Sequence, residues 1–541
     1  MKSHQALAQS LHHLGVDTIF GVMGDANLFM VDSFVRECGG TFVPATHEAN
    51  SVIMAKSYAE LTGHLGVATV THGPGLTNTA TALVECVRAG APVLLVAGDT
   101  ALGDIGNIQR MGQEQFVRSL GAGFESVPSG DRTYECVLRA ARRALVESRP
   151  VVLNVPAGFA WDETTVSGSG QPAIEHREPL PNPGDLDEAL GIVMSAARPL
   201  VLAGFGARHD EARDSLVALA ETLGAPLATT LKAKDLFFDN PQSIGIFGTL
   251  ATEVGSKYIA ASDCILAFGV SMSRWTTAGG ELLAGKRVVQ VDWDPAALGQ
   301  RAPISAGVAG GAAVTAATML EWVSGAGVKP SGFGALVARE GGAEPTGGRL
   351  SANGAEALSV GKVAATIASA LGAERVLVAD LGRAIFDAVV SVPTPRPGAF
   401  VWTANFGSIG LGMSGAIGAH YARPGSPIIL VTGDGGYMMG GLAELSTAVR
   451  AKMDLVVVLA NDGSYGAEHV QFRDRGMDPS LTLSAWPDLA AVARSMGADA
   501  ITLHDVSDLP AAYTAVAERS RTSPLLLDVR LDPETVPRAG H

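Results

Sequence analysis

Two short apolar strands toward the C-terminal end each run into a turn of glycines and acids. Pro427–Val431 leads to Gly433-Asp434-Gly435-Gly436, and Leu455–Ala460 leads to Asn461-Asp462-Gly463-Ser464-Tyr465-Gly466. A helix through Glu444–Ala451 lies between them, and strand, helix, strand is the grammar of a parallel sheet covered by helices. A carboxylate at a strand end can hold a hard cation, and glycines let backbone N–H groups approach phosphate oxygens with no side chain in the way. The second strand end, 28 residues on from Asp434 to Asp462, adds oxygen ligands of the kind Mg²⁺ shares between protein and phosphate. A lone Gly-Asp-Gly is usually a plain turn. Two glycine-rich strand ends at this separation are far less common.

The same alternation runs through most of the chain. Residues 1–165 read as helix Ser3–Leu14, strand Thr18–Val22, helix Ala26–Glu37, strand Thr41–Ala45, helix Ala49–Thr62 and strand Gly66–Thr71, continued by strands Val93–Ala97 and Val151–Val155. A polar, proline-rich stretch from Val166 to Pro183 reads as a linker. A second segment, 184–325, has strands Pro199–Ala203, Cys264–Phe268 and Arg287–Val291. Glycine-rich sequence from Gly325 to Asn353 reads as a second linker. The third segment, 354–535, repeats the first: helix Gly361–Leu371, strand Val376–Ala379, helix Leu411–Tyr421, and the two strands already described. The fold class is α/β, with three consecutive doubly wound parallel-sheet domains. At about 150 residues per domain, 541 residues allow three or four.

Only 17% of residues are charged, below the roughly 25% typical of soluble domains, so extensive burial is expected, subunit interfaces included. A net charge of −15 with no basic run argues against a nucleic-acid partner. No apolar run approaches the length of a membrane span. Cys38, Cys86, Cys136 and Cys264 are far apart and lack metal or redox spacing. They read as reduced thiols of a cytoplasmic protein, and Met1–Gly15 is too polar for a signal peptide.

The strand-end pair resembles the cofactor signature of thiamine diphosphate enzymes, and the three-domain organisation is similar to acetolactate synthases and related 2-oxo acid decarboxylases over essentially the whole chain. The resemblance implies pyrimidine-binding, central and diphosphate-binding domains in that order. The family signature ends in Asn-Asn; here the pair is Asn461-Asp462. Anchoring on Tyr465-Gly466 makes Asp462 the metal ligand and Ser464 the carbonyl donor. Counting from Asp434 favours Asn461, unless the extra glycine in Gly440-Gly441 is an insertion. Asp434, Asn461, Asp462 and Ser464 are the expected metal set.

The resemblance further implies that Glu48, in Thr46-His47-Glu48-Ala49, hydrogen-bonds the cofactor's pyrimidine and promotes its imino tautomer. A plainer reading makes Glu48 a helix N-terminal acid favoured by the dipole. Asn405-Phe406-Gly407-Ser408-Ile409-Gly410 resembles the segment that bends the cofactor. There Ile409 props the rings apart, the Gly407 carbonyl accepts from the exocyclic amine, and Ser408 lies alongside. Gly382 and Arg383 resemble a second diphosphate loop, joined by Gly435, Gly436 and Tyr465. On the substrate side stand Asp25 (equally a helix N-cap), His72, Gln113 and Glu468. Gly204-Phe205-Gly206 is read as a tight strand–helix turn rather than a dinucleotide site. Ser271-Met272-Ser273-Arg274 does not match flavin-binding relatives, so FAD is not predicted.

The implied function is Mg²⁺- and thiamine diphosphate-dependent decarboxylation of a 2-oxo acid to an enamine, followed by carboligation. Protonation of the enamine to release an aldehyde is one alternative, and FAD-linked oxidation is a second. Sites between the subunits of a homodimer or homotetramer are implied as well.

Overall fold

A computed structural model describes residues 1–164, 179–341 and 357–535. It contains three six-stranded sheets, parallel throughout. The first holds β1 (Thr18–Gly21), β2 (Thr41–Pro44), β3 (Gly66–Val70), β4 (Val93–Asp99), β5 (Gly123–Ser126) and β6 (Val151–Pro156). The second holds β7 (Pro199–Ala203), β8 (Leu227–Thr229), β9 (Ser243–Ile246), β10 (Cys264–Phe268), β11 (Arg287–Asp292) and β12 (Ala306–Ala309). The third holds β13 (Val376–Ala379), β14 (Phe400–Trp402), β15 (Ile428–Gly433), β16 (Leu455–Asn461), β17 (Asp499–Leu503) and β18 (Leu525–Arg530).

Strand order settles how the domains relate. The first sheet runs β2-β1-β3-β4-β6-β5 and the third β14-β13-β15-β16-β18-β17, one pattern in two places. The central sheet runs β12-β11-β10-β7-β8-β9, a different winding. Central strands such as β3, β10 and β16 are buried along their whole length. That is why they read as continuous apolar runs: helices cover both faces.

The outer domains dock through equivalent helices. Glu48–Thr62 joins β2 to β3, Gly412–Ala422 joins β14 to β15, and the two pack on each other. One apolar cluster spans both sheets, with Val52, Ile53 and Met54 from the first helix and Met413, Ala416 and Ile417 from the second. The approach is close enough to require glycine: a Cβ on Gly418 would fall 2.2 Å from the Met54 carbonyl oxygen.

The structure corrects one linker and adds strands. Phe333–Arg339 is a helix, and Phe333 and Val337, one turn apart, are buried in the central core. The stretch read as a linker from Gly325 therefore begins as folded structure; its part from 342 on lies outside the described residues, as does the first linker from 166 to 178. Strands β5, β8, β9, β12, β14, β17 and β18 were not anticipated. Most are short or lie at sheet edges, where apolar runs are brief. Phe205–Ala207 forms a tight 3₁₀ turn after β7, as expected of Gly204-Phe205-Gly206. All four cysteines are free thiols, and no described helix is long and apolar enough to cross a membrane.

Gly418→Ala should cost on the order of 3 kcal/mol, because backbone stands in the way of the new methyl and cannot rotate aside. Thermal unfolding measures this. A variant as stable as the parent would show that the helix crossing has slack.

Candidate active site

In the third sheet the order reverses between β13 and β15, and ligands of open parallel sheets bind beyond the strand ends at such a switch. Three buried or half-buried acids occupy that edge. Asp380 follows β13: its Oδ1 accepts from the Leu381 N–H at 2.8 Å, and its Oδ2 from the Gly410 N–H and the Thr432 hydroxyl, both at 3.1 Å. Asp434 follows β15: Oδ1 accepts from the Gly435 N–H at 2.8 Å, and Oδ2 from the Gly463 N–H and Trp486 Nε1, both at 2.9 Å. Asp462 follows β16, and Ser464 pins its Oδ1 through the N–H at 2.9 Å and the hydroxyl at 3.0 Å.

The charges oppose one another. Burial, then the neighbouring Asp462 charge, push the Asp434 carboxyl up to about 6. Burial raises Asp462 as well, and Asp380. Two oxygen donors on adjacent strand ends, each costly to ionise, suit a hard divalent cation. Among the described residues no three His, Cys, Asp or Glu side chains gather to hold a metal. Two carboxylates with remaining positions left to phosphate and backbone oxygens is the arrangement Mg²⁺ favours.

Asn461 turns elsewhere. Its side-chain Nδ2 donates to Asp528 Oδ1 at 2.8 Å, inside the sheet. Successive residues of a strand point to opposite faces, so the strand end presents Asp462 or Asn461 beside Asp434, and it presents Asp462. Tyr437–Gly441 forms a π-helical turn between Asp434 and the next α-helix, Leu442–Arg450. A π turn accommodates one extra residue in a helix.

Glycines let the surrounding backbone close in. Gly407 and Gly410 both have φ of +88°, a conformation L side chains avoid. A Cβ on Gly440 would fall 2.2 Å from the Gly410 carbonyl oxygen, so the Gly407–Gly410 loop packs directly on the turn after Asp434. The Ser408 hydroxyl donates to the Ile409 carbonyl at 3.0 Å. The Tyr465 ring covers Gly435, 3.0 Å from where a Cβ would sit. Gly382 and Arg383 begin the Arg383–Ser391 helix after β13. With Gly407 they line a cavity of about 1000 Å³ that extends to the central domain at Phe205, Lys232 and Ser271.

The first sheet supplies a second set at its own strand ends. Glu48 opens the Glu48–Thr62 helix, and its Oε2 accepts from Asn78 Nδ2 at 2.9 Å. The residues on either side are held from the third domain: Glu444 Oε1 accepts from the Thr46 N–H and hydroxyl, each at 2.7 Å, and from Asn50 Nδ2 at 2.9 Å. Asp25 is not the N-cap of its helix. Asn27 takes that position, and exposed Asp25 accepts from the Thr71 hydroxyl at 2.9 Å. His72 is buried, with Nδ1 3.9 Å from Asp25 Oδ1 and Nε2 lacking a partner.

Gln113 ties strand ends of the first sheet together. Its Oε1 accepts from the Gly73 N–H at 2.9 Å, while Nε2 donates to the Gly98 carbonyl at 2.9 Å and to Asn154 Oδ1 at 2.5 Å. It fixes the loop after His72. Glu468 stands exposed on the Gly466–Asp474 helix, apart from its buried neighbour His469, which bonds Thr482 and Glu534.

Sequence reasoning gave Asp380, at the start of the second diphosphate loop, no role of its own and passed over Glu444 and Trp486. Asp380 carried a signal, an acid directly after an apolar strand, as at Asp434. The other two reach the site across domains or from 52 residues away, and no local pattern marks them.

Three family models match in order: the thiamine pyrophosphate enzyme N-terminal TPP binding domain over residues 1–120, the central domain over 186–319 and the C-terminal TPP binding domain over 380–529. Together they span most of the chain. A Mycobacterium tuberculosis protein provisionally described as an acetolactate synthase large subunit is 27% identical, over 98% of this chain and 97% of its own length. A sulfoacetaldehyde acetyltransferase of Castellaniella defragrans is 26% identical, over 95% and 90%. An acetolactate synthase large subunit of Parasynechococcus marenigrum is 28% identical, over 97% and 87%.

Asp462→Asn should raise the stability of metal-free protein by about 1 kcal/mol at neutral pH, by removing one of two buried like charges. The sign follows from Asp434. Its carboxyl has a higher pKa folded than unfolded, so the fold is favoured while it is protonated and loses stability as pH rises from about 4 to about 6. Thermal unfolding in chelator across that range should show the loss in the parent and a smaller one in the variant.

Proposed function

The chain belongs to the thiamine pyrophosphate enzyme family, and from that premise we propose a Mg²⁺- and thiamine diphosphate-dependent enzyme that decarboxylates a 2-oxo acid and transfers the remaining acyl unit to a second carbonyl. The observation that carries this reading is the convergence of Asp434 and Asp462 at the strand ends beside Gly435, Gly463 and the Gly407–Gly410 loop. The relatives named as acetolactate synthases favour carboligation over simple aldehyde release.

When bound, the cofactor would supply a nucleophilic carbon and a cationic ring that accepts the electron pair left by loss of CO₂. Asp434 and Asp462 would hold the metal through carboxylate oxygens. Gly435, Gly436, Gly382 and Arg383 would bind diphosphate through N–H groups and a guanidinium. Glu48 would hold a proton at the pyrimidine nitrogen. The Gly407 carbonyl and the Ile409 side chain would orient the rings, and orientation supplies much of the barrier reduction.

On the substrate side, His72 and Asp25 share Thr71, whose hydroxyl donates to Asp25 and lies 3.4 Å from His72 Nδ1. His72 can move a proton through its unpartnered Nε2. This pair supports a second reading, a lyase that protonates the intermediate and releases an aldehyde. Gln113 acts by fixing the loop that carries His72, and Glu468 enters only where substrate or a partner subunit covers it.

The active unit is a homodimer or homotetramer in the cytoplasm, with each site between subunits. Exposed apolar side chains near the proposed cofactor residues of both domains support association: Met23, Ile105 and Ile108 by the first, Phe406, Met439 and Tyr465 by the third.

Calorimetry with thiamine diphosphate should show binding that needs Mg²⁺ and is lost in Asp434→Asn. Product analysis with pyruvate, longer 2-oxo acids and sulfoacetaldehyde should give acyloin or acyl transfer; aldehyde alone selects the second reading, and a yellow protein the oxidase. Glu48→Gln and Asp434→Asn should each be inactive alone. Mixed through co-expression they should recover activity, because one site of each heterodimer would be intact. No recovery would place each site within a single chain.

A further inference from the structure

A cluster of charged side chains that the proposed chemistry does not use lies buried between the first and third domains. Glu85, on the Ala80–Ala89 helix, is fully buried. Its carboxylate reaches out of its own domain. Oε1 accepts from Asn405 Nδ2 and Oε2 from the Phe406 backbone N–H, both at 2.7 Å. Lys56, equally buried, stands with Nζ 3.6 Å from Glu85 Oε1. Its ammonium also donates to the Trp402 carbonyl at 2.7 Å and to Glu60 Oε2 at 3.1 Å.

These contacts fall on one short piece of chain. Trp402 ends β14; Asn405 and Phe406 follow; Gly407, Ser408 and Ile409 come next. On the far side, the Gly410 N–H donates to Asp380. Buried carboxylates thus grip both ends of a three-residue span, and the span itself is half-buried or exposed.

A buried carboxylate is expensive unless paired and hydrogen-bonded. Here the pairing is complete: Lys56 supplies the opposite charge, and two N–H donors fill both oxygens. Burial works against the Lys56 ammonium, but Glu60 and Glu85 outweigh it and hold its pKa above the ordinary lysine value. Charge-assisted bonds are about twice as strong as neutral ones. Mere glue between domains would be expected to join rigid elements. This carboxylate spends both oxygens on the residues that lead into a glycine with φ of +88°.

We propose that Glu85, backed by Lys56, is a positioning residue: it clamps Asn405 and Phe406 so that Gly407 and Ile409 present one fixed geometry to the cofactor. The role given to Gly407 and Ile409 rests on the function proposed above; the clamp itself does not.

Hydrogen–deuterium exchange on cofactor-free protein reads the clamp directly. Glu85→Gln keeps the shape but puts an N–H against a donor, so amides of 405–410 should exchange about tenfold faster, with β15 and β16 unchanged. Thiamine diphosphate affinity should fall by a similar factor, and the near-ultraviolet circular dichroism of the bound cofactor should weaken. Glu85→Asp separates the alternatives, because it keeps the charge beside Lys56 but is one methylene too short to reach the loop. A positioning role predicts that it behaves like Glu85→Gln; a charge-pairing role predicts rescue. Asn405→Ala, at a half-buried site, tests the same clamp if the Glu85 variants fold poorly, and should give a smaller change of the same sign. Unchanged exchange and dichroism in these variants, whatever the melting temperature, would overturn the proposal. Parent protein that binds no thiamine diphosphate would instead sink the functional reading, while the exchange result would still decide the clamp.

Discussion

The architecture depends on a helix crossing with no room for a side chain. At Gly418 the Gly412–Ala422 helix lies against the backbone at Met54, and only hydrogen fits between. This proximity merges the cores of the first and third sheets into one apolar cluster. It also fixes which polar groups must be buried where the domains meet. A wider crossing would let water reach Lys56, Glu60, Glu85 and Glu444. At this separation Lys56, Glu85 and Glu444 each take a partner from across the interface, and Glu60 pairs with Lys56 on its own helix.

At the edge of the third sheet the balance is reversed. Asp434 and Asp462 are held near each other by backbone N–H groups, an indole and a serine, and burial makes ionising both costly. The surrounding fold bears that cost, through strands buried along their length. A pair of buried acids is thus a place where local stability is given up for charge density. Parallel strands make this inexpensive to build, because neighbouring strand ends arrive at the same level without any long loop to order them.

Much of this was legible in the sequence, and for a physical reason. Strands buried on both faces write themselves as apolar runs, so β1, β3, β4, β10 and β15 could be read directly. Acids and glycines just after such runs, as at Asp434 and Asp462, are conspicuous because little else puts them there. Edge strands such as β17 carry no comparable signal: Asp499–Leu503 is only partly buried and begins with an acid. The Phe333–Arg339 helix was lost among glycines, although Phe333 and Val337 already had helical spacing. Gln113 shows what the sequence leaves unsaid. Its position in the resembling family suggested a group facing the cofactor, and the structure adds bonds to Gly73, Gly98 and Asn154 that no local pattern marks. Residue type marks what a side chain can bond, and only packing decides what it does bond.

Long-range partners were illegible for the same reason, and they give the domain contact its meaning. Thr46 and Asn50, on either side of Glu48, are both held by Glu444 of the third domain. Asn405 and Phe406, which lead into Gly407, are both held by Glu85 of the first. Each domain therefore sets the backbone on which the other carries the residues proposed for the cofactor. Loosening the contact would disturb both halves together, because the same packed interface carries both carboxylates. Buried carboxylates aimed at the flanks of the residues proposed to act on the cofactor, one of them beside a lysine, would make the relative placement of the two domains part of the proposed chemistry as well as of the fold.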